Sequence, residues 1–176
     1  EEGGIRAVVG AMEGHLESDK VQEGACRVLG HLAANNAENA VRIREEGGIR
    51  AVVGAMDGHE GGSGVQEGAC RALGHLASNN DENAVRIREE GGIRAVVGAM
   101  EGHPTSAGVQ EQACYALQSL AFNNAENAVR IREEGGIGAI VNAMNNYLAS
   151  KEVQEGACKA LGNVTANMTD DANTME

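Results

Sequence analysis

A 44-residue period runs through the whole chain. The residues EEGGI begin at Glu1 and recur at Glu45, Glu89 and Glu133, and 35 of the 44 positions are identical between the first two copies. A period in the forties with helical patterning is typical of a solenoid, in which each unit buries its apolar face only against its neighbours. We therefore predict one array over residues 1–176, made of the repeats 1–44, 45–88, 89–132 and 133–176.

The spacing of apolar residues within one period predicts three helices. Asn35 and Asn36 supply an N-cap for a short first helix through Ile43, and the pair Gly47-Gly48 ends it. The second helix ends at Gly58, and its apolar face follows helical spacing with Ile49, Val52, Val53 and Met56.

The third helix is predicted to follow a loop over residues 60–64, the least repeated part of the period. Ser63 and Gln66 have the spacing of a capping box at its start. Its inward face comprises Val65, Ala69, Leu73, Leu76 and Ala77. No alternating β pattern occurs in the sequence, so the predicted fold class is all-α.

Three sequence motifs follow one another along the chain: GGI-x-A-V-V-x-A-M, VQE-x-AC-x-A-L-x-x-L-A-x-NN and ENAVRIREEGG. Their spacing and the Gly-Gly joint resemble armadillo repeats. The resemblance implies a right-handed α-solenoid of armadillo-like three-helix repeats, whose third helices line a concave groove. It also implies a non-enzymatic scaffold that binds an extended protein or peptide segment in that groove.

Polar residues spaced by four along the third helix are the candidate lining of this groove. In the family, this helix commonly presents an Asn that grips the peptide backbone and an aromatic residue one turn earlier; only Asn163 matches that Asn here. The predicted protein-binding residues are Glu23, Arg27, His31, Glu67, Arg71, His75, Glu111, Tyr115, Ser119, Lys159 and Asn163.

Two interpretations of these polar residues on the third helix remain open. It can be a mixed-charge recognition surface, because Arg forks bind carboxylates and His titrates near neutral pH. It can equally be a solvated helix face with i,i+4 pairs worth a few tenths of a kcal/mol each.

Composition argues against several classes of function. The formal net charge is −12, whereas nucleic-acid binding needs a basic surface, so no nucleic-acid partner is expected. No apolar run has the roughly 18 residues that span a membrane, so no membrane partner is expected either. The chain shows no convergent nucleophile, base and acid, and we predict neither an enzyme nor a cofactor.

The cysteines and most histidines have structural interpretations. Cys26, Cys70, Cys114 and Cys158 occupy equivalent positions, which stacked helices hold about 10 Å apart, too far for disulfides. We predict that they are small buried residues. Tyr147 takes the fourth equivalent position of a ladder that begins with His15, His59 and His103, so no metal site is expected.

The ends of the array give a second functional hypothesis. The sequence begins at a second helix and ends after the place of a first helix, which fits a fragment of a longer array or a protomer that stacks head to tail into a filament. In the filament, the predicted contact joins two sets of apolar residues: Ile5, Val8, Val9 and Met12 on one copy, and Leu161, Val164 and Ala172 on the next.

Two N-glycosylation sequons lie in the last repeat, at Asn163 and Asn167. Asn167 is the better candidate because Asn163 falls on a predicted helix. Use of either site would make the chain extracellular, whereas the armadillo resemblance implies a cytoplasmic protein, so the sequence leaves its location open.

Overall fold

The protein is an array of stacked helices. The computed structural model describes residues 2–166, and this part of the chain is helical with no strand. Its helices are α1 (Glu2–Gly14), α2 (Asp19–Ala33), α3 (Ala37–Glu45), α4 (Gly48–Gly58), α5 (Ser63–Ala77), α6 (Asp81–Glu89), α7 (Gly92–Gly102), α8 (Ala107–Ala121), α9 (Ala125–Glu133), α10 (Gly136–Asn146) and α11 (Lys151–Ala166). The all-α class is confirmed.

Each repeat contributes one short, one intermediate and one long helix. In the set α3, α4 and α5 these have 9, 11 and 15 residues, as the apolar spacing predicts. The sets α6–α8 and α9–α11 repeat the arrangement, and α1 and α2 are equivalent to the second and third helices.

Asparagine and two glycines fix the joints around the first helix of a repeat. The Asn36 side chain accepts a hydrogen bond from the backbone N–H of Asn39 at 3.0 Å, so the predicted N-cap is confirmed. Gly47 has a φ of 80°, a conformation that favours glycine. Gly48 is needed for space, because a Cβ there would lie 2.5 Å from Cγ2 of Ile43.

The predicted capping box at the third helix is wrong. Gly62 is the N-cap of α5, and Ser63 is its first helical residue. The serine that caps the equivalent helix α2 lies one position earlier, at Ser18, where its side chain accepts from the N–H of Val21. Gln66 is instead buried, and its amide donates to the carbonyl groups of Met56 and His59 at 2.8 and 3.0 Å, tying the third helix to the second.

Small residues let the third helices pack closely against one another. A Cβ on Gly30 of α2 would lie 3.3 Å from the Cα of Ala72 in α5. The second helices contact one another much less than the third helices do, and a cleft of about 470 Å³ lies between α4 and α7. The closer packing of the third helices places them on the inner side of the array.

A buried amide and an arginine join successive repeats. Asn83 is fully buried. Its Nδ2 donates to two carbonyl oxygens, that of Ala40 in the sequence repeat 1–44 at 3.1 Å and that of Leu76 in the same sequence repeat as Asn83, 45–88, at 2.9 Å. Its Oδ1 accepts from Arg44 at 3.1 Å, and this guanidinium also pairs with Glu82 at 2.7 Å. Asn127 and Arg88 repeat the arrangement one repeat later. These contacts fix the register of one repeat on the next.

The residues predicted for an end-to-end contact mostly lie inside the chain's own core. Ile5, Val9 and Met12 are buried because the apolar face of α1 packs against α2 and α4. Val164 is also fully buried, and Val8 and Leu161 are half-buried. Ala172 lies outside the described residues. Most of the side chains predicted for the end-to-end contact therefore pack within the chain itself, and the contact stays a prediction.

Three of the four cysteines are buried, as predicted. Burial raises the pKa of the Cys26 and Cys114 thiols to about 12, and it raises the pKa of the Cys70 thiol as well. The prediction is wrong for Cys158, which is exposed. The reason is its position on α11, because no further third helix covers that helix in the described part of the chain.

Candidate functional site

One row of residues on each third helix stays accessible to solvent along the inner side of the array. We call this row the groove strip. It consists of Lys20, Glu23, Arg27 and His31 on α2, and of the equivalent residues Gly64, Glu67, Arg71 and His75 on α5, Gly108, Glu111, Tyr115 and Ser119 on α8, and Glu152, Glu155, Lys159 and Asn163 on α11. All eleven residues predicted as groove lining belong to it.

Arginine and glutamate pair along the strip in the first two repeats. Arg27 donates to Glu23 at 3.0 Å, and Arg71 donates to Glu67 at the same distance, both four residues apart on one helix. The exposed fraction of the Arg27 side chain is 55% and that of Arg71 is 27%. Pairs of this exposure add little to stability, about 0.3–0.5 kcal/mol each, so their guanidinium groups remain available to a ligand.

Each of these glutamates also reaches over the next third helix. A Cβ on Gly64, in the first turn of α5, would lie 2.6 Å from Oε2 of Glu23, and a Cβ on Gly108 of α8 would contact the Glu67 carboxylate. Glycine at these positions therefore leaves room for the carboxylate beside a helix N-terminus, where a negative charge is favourable. The equivalent position on α11 holds Glu152 instead.

His75 and Tyr115 form an aromatic pair between the second and third repeats. Their rings meet edge to face with centroids 5.2 Å apart, and the Tyr115 hydroxyl lies 3.2 Å from Nδ1 of His75. Partial burial lowers the pKa of His75, and the nearby positive charges of Arg71 and His31 lower it further. The lowered pKa favours the neutral imidazole, whose Nδ1 can accept the hydrogen bond from the Tyr115 hydroxyl when the proton is on Nε2.

The pair separates two open cavities along the inner surface. One, of about 320 Å³, is lined by polar residues of the first two repeats such as Asn36 and Asn80. The other, of about 420 Å³, reaches from Arg71 to the fourth repeat. Both are wide enough to accept side chains of a bound segment.

Asn163 lies in the groove strip, where it is half-buried and its Nδ2 donates to the carbonyl oxygen of Gln118 on α8 at 2.9 Å. This is the nitrogen that N-glycosylation modifies, and both the groove role and the glycan at Asn163 stay predictions. Asn167, the other sequon, lies outside the described residues.

Glu152, Gln112 and Gln118 were missed by the sequence reasoning. Gln112 donates to Glu111 at 2.9 Å, and all three line the cavity of 420 Å³. Gln112 and Gln118 replace glycines of the first two repeats, and these departures from the copied sequence are the signal that could have identified them.

Over residues 2–166, no three His, Cys, Asp or Glu side chains come together as metal ligands. In the same range, no helix has the length and apolar character needed to cross a membrane.

Comparison with known proteins identifies the family. A family model described as the LRRK2 ARM repeat matches residues 35–175. The chain belongs to the armadillo repeat family. Its right-handed solenoid of three-helix repeats is the armadillo architecture that the sequence motifs predict. A search of curated proteins gives no match.

Several solved structures of designed proteins share the armadillo fold. Two engineered proteins are 28% and 29% identical over 92% and 93% of this chain, each with a TM-score of 0.80. The aligned regions span 62% and 38% of those longer chains. A structure titled as computationally designed armadillo repeat proteins for modular peptide recognition is 24% identical over 93% of this chain and 66% of its own, with a TM-score of 0.80.

Proposed function

We propose that this armadillo scaffold is non-enzymatic and binds an extended segment of another protein along the groove strip. The observation that carries the proposal is the continuity of the strip. Polar side chains follow one another across four stacked third helices, and cavities of 320 and 420 Å³ lie on both sides of the His75–Tyr115 pair.

The geometry suits an extended segment better than a small molecule. Successive third helices are about 8–10 Å apart, close to the length of three extended residues. Each repeat can thus meet one side chain or two of the segment. At the level of fold, the designed protein for modular peptide recognition uses the same architecture.

A random peptide library tests the proposal directly. Peptides selected on the immobilised protein are expected to lose binding at least about tenfold when Arg71→Glu and Tyr115→Ala are combined, because both residues line the cavity of about 420 Å³. The matched control is Arg94→Glu on α7, whose guanidinium pairs with Asp57 on α4, away from the strip. Equal loss in both variants, or in neither, would overturn the proposal.

A second proposal is that copies of the chain stack end to end into a filament. The apolar face of α1 does not support it, because Ile5, Val9 and Met12 are buried within the chain. Val28 on α2 and Cys158 on α11 are exposed, although the equivalent positions are buried where third helices stack inside the array. A second copy placed in the register of the internal repeats would cover both.

Sedimentation velocity over a concentration series tests the filament. Growth of the sedimentation coefficient with concentration is expected, and Val28→Glu should abolish it while leaving peptide binding unchanged. A single monomeric species at every concentration would contradict self-assembly.

A further inference from the structure

The charges of the groove strip change sign along the array. Lys20 and Arg27 outnumber Glu23 in the first repeat, and one cation balances one acid in the second, Arg71 against Glu67.

In the third repeat Glu111 is the sole charge of the strip. In the fourth repeat Glu152 and Glu155 outnumber Lys159. The two histidines, His31 and His75, both lie in the first half.

This gradient depends on two changes at equivalent positions. Tyr115 replaces the arginine that pairs with glutamate in the first two repeats, so Glu111 has no ion-pair partner in the described part of the chain. Glu152 takes the position of Gly64 and Gly108, the glycines that leave room for the glutamate of the preceding repeat. Glu111 and Glu152 consequently line one cavity of about 420 Å³ together with Glu155, so that three carboxylates there outnumber the two cations of the same lining, Arg71 and Lys159.

The two ends of the strip act independently on a ligand. Four helices spaced by about 8–10 Å separate α2 from α11 by about 25–30 Å. This exceeds the Debye length of about 8 Å at physiological ionic strength, so a ligand group senses the nearby charges rather than the net charge of the chain.

We propose that the groove strip orients its ligand by charge: the bound segment places acidic side chains over the first two repeats and basic side chains over the last two. This inference rests on the proposed binding function and names the chemistry of the partner. Carboxylates of the segment meet Lys20 and Arg27, beyond the end of the cavity of about 420 Å³ at which Arg71 lies. Lysine or arginine side chains meet the cavity of Glu111, Glu152 and Glu155, with the ring of Tyr115 in its wall.

A synthetic peptide with separated charge blocks tests the orientation. Four glutamates, one Gly, one Ser and four lysines put the block centres about 20 Å apart when extended. This matches the two helix spacings, about 16–20 Å, between the middle of the first two repeats and the middle of the last two. The control peptide has the same composition with glutamate and lysine alternating. We expect the block peptide to bind about five- to tenfold more tightly at low salt and to lose this advantage at high salt.

A photo-crosslinker on the glutamate end locates that end in the complex. Crosslinks are expected on α2 and α5. In a variant combining Lys20→Glu, Arg27→Glu, Glu111→Lys and Glu152→Lys, which keeps the net charge, they should move to α8 and α11. The matched control, Asp57→Lys with Arg94→Glu, inverts a charge pair outside the strip and should leave the crosslinks in place.

The outcomes separate the two proposals. Crosslinks spread evenly over the strip, or unmoved in the reversed variant, overturn the charge orientation and leave segment binding standing. Crosslinks outside the strip overturn both. Because the four substituted side chains are at least partly exposed, the reversed variant should fold, and Glu152→Lys alone, at an exposed residue, repeats the test with a smaller shift.

Discussion

Each third helix has a face buried in the stack and a face on the groove strip, and the two differ in how far their residues stay the same from repeat to repeat. On the stacked face, two buried positions keep the same residue from copy to copy: Gln22, Gln66 and Gln110 each donate to the same two carbonyl groups at the end of the second helix, and Cys26, Cys70 and Cys114 are all buried. On the groove strip, the equivalents of Arg27 and His31 change in the third repeat and again in the fourth.

The difference has a physical cause. A substitution on the stacked face must fit two neighbours at once, whereas one on the groove strip meets solvent and at most one neighbour. The strip is therefore where charge can change at little cost in stability, and this is why we base the function on it. Four predictions test the contrast, from the largest expected effect to the smallest.

The stacked interior should be most sensitive at Asn83. Replacing it by leucine leaves the carbonyl oxygens of Ala40 and Leu76 without this donor and Arg44 without its acceptor. We expect Asn83→Leu to lower the free energy of unfolding by about 3 kcal/mol, as measured by urea denaturation.

Two controls sharpen this result. Asn39 is the equivalent residue one repeat earlier, half-buried, with one side-chain hydrogen bond to the Leu32 carbonyl. Asn39→Leu should cost about 1 kcal/mol. Arg27→Ala on the strip should cost less than about 0.5 kcal/mol. Equal losses at Asn83 and Arg27 would remove the distinction between the faces.

Alanine at two equivalent glycines should have effects of opposite sign. At Gly30 a Cβ would lie 3.3 Å from the backbone of Ala72, so Gly30→Ala crowds α2 against α5 by a few tenths of an ångström, and we expect this backbone contact to cost more than the roughly 1 kcal/mol gained in helix propensity. At Gly162 no atom lies within 4 Å of the added Cβ. Gly162→Ala should therefore stabilise by about 0.5–1 kcal/mol through helix propensity. Thermal unfolding of both variants measures the pair, and the same sign in both would contradict the close stacking.

The sequence predicted the elements better than the contacts between repeats. Apolar spacing and the Gly-Gly joint locate the helices, because these signals depend on neighbours within one repeat. The link between Arg44 and Asn83 joins residues 39 positions apart, and the hydrogen bond of Asn163 to Gln118 joins residues 45 apart. Such contacts depend on the rise from one helix to the next, which a single repeat does not encode.

The same limit explains the errors at the ends. The apolar residues of α1 follow the internal pattern, and their burial depends on how α1 sits on α2 and α4. The groove strip could be predicted because it is what remains on the third helix after its apolar positions are assigned, whereas the cavities beside Tyr115 required the stacked structure.

His75 lies on the groove strip and also contacts Tyr115 of the next third helix, so its titration should make the stability of the fold depend on pH. Its pKa is lowered in the folded protein, so the unfolded chain binds the proton more tightly and stability decreases as the pH falls below the ordinary histidine value of about 6.5. The melting temperature of the wild type should therefore fall more between pH 7.5 and 5 than that of His75→Ser, which carries the residue found at the equivalent Ser119. An identical pH profile for the two proteins would show that this imidazole is not desolvated by the stack.

The smallest effect is expected at the outer edge of the array, where a histidine links neighbouring repeats. Nδ1 of His59 contacts the Asp19 carboxylate, and its Nε2 lies 2.7 Å from the Leu16 carbonyl oxygen. His103 makes the equivalent contact to the Glu60 carbonyl, but Ser63 stands where Asp19 does. An aspartate at the start of a helix also interacts favourably with the helix dipole, so Ser63→Asp should add about 0.5 kcal/mol of stability through the dipole and a side-chain contact with His103. Asp19→Asn should remove a similar amount. In the background of His103→Gln, Ser63→Asp should keep its dipole contribution and lose the contribution of the His103 contact, and an undiminished gain there would show that no such contact forms.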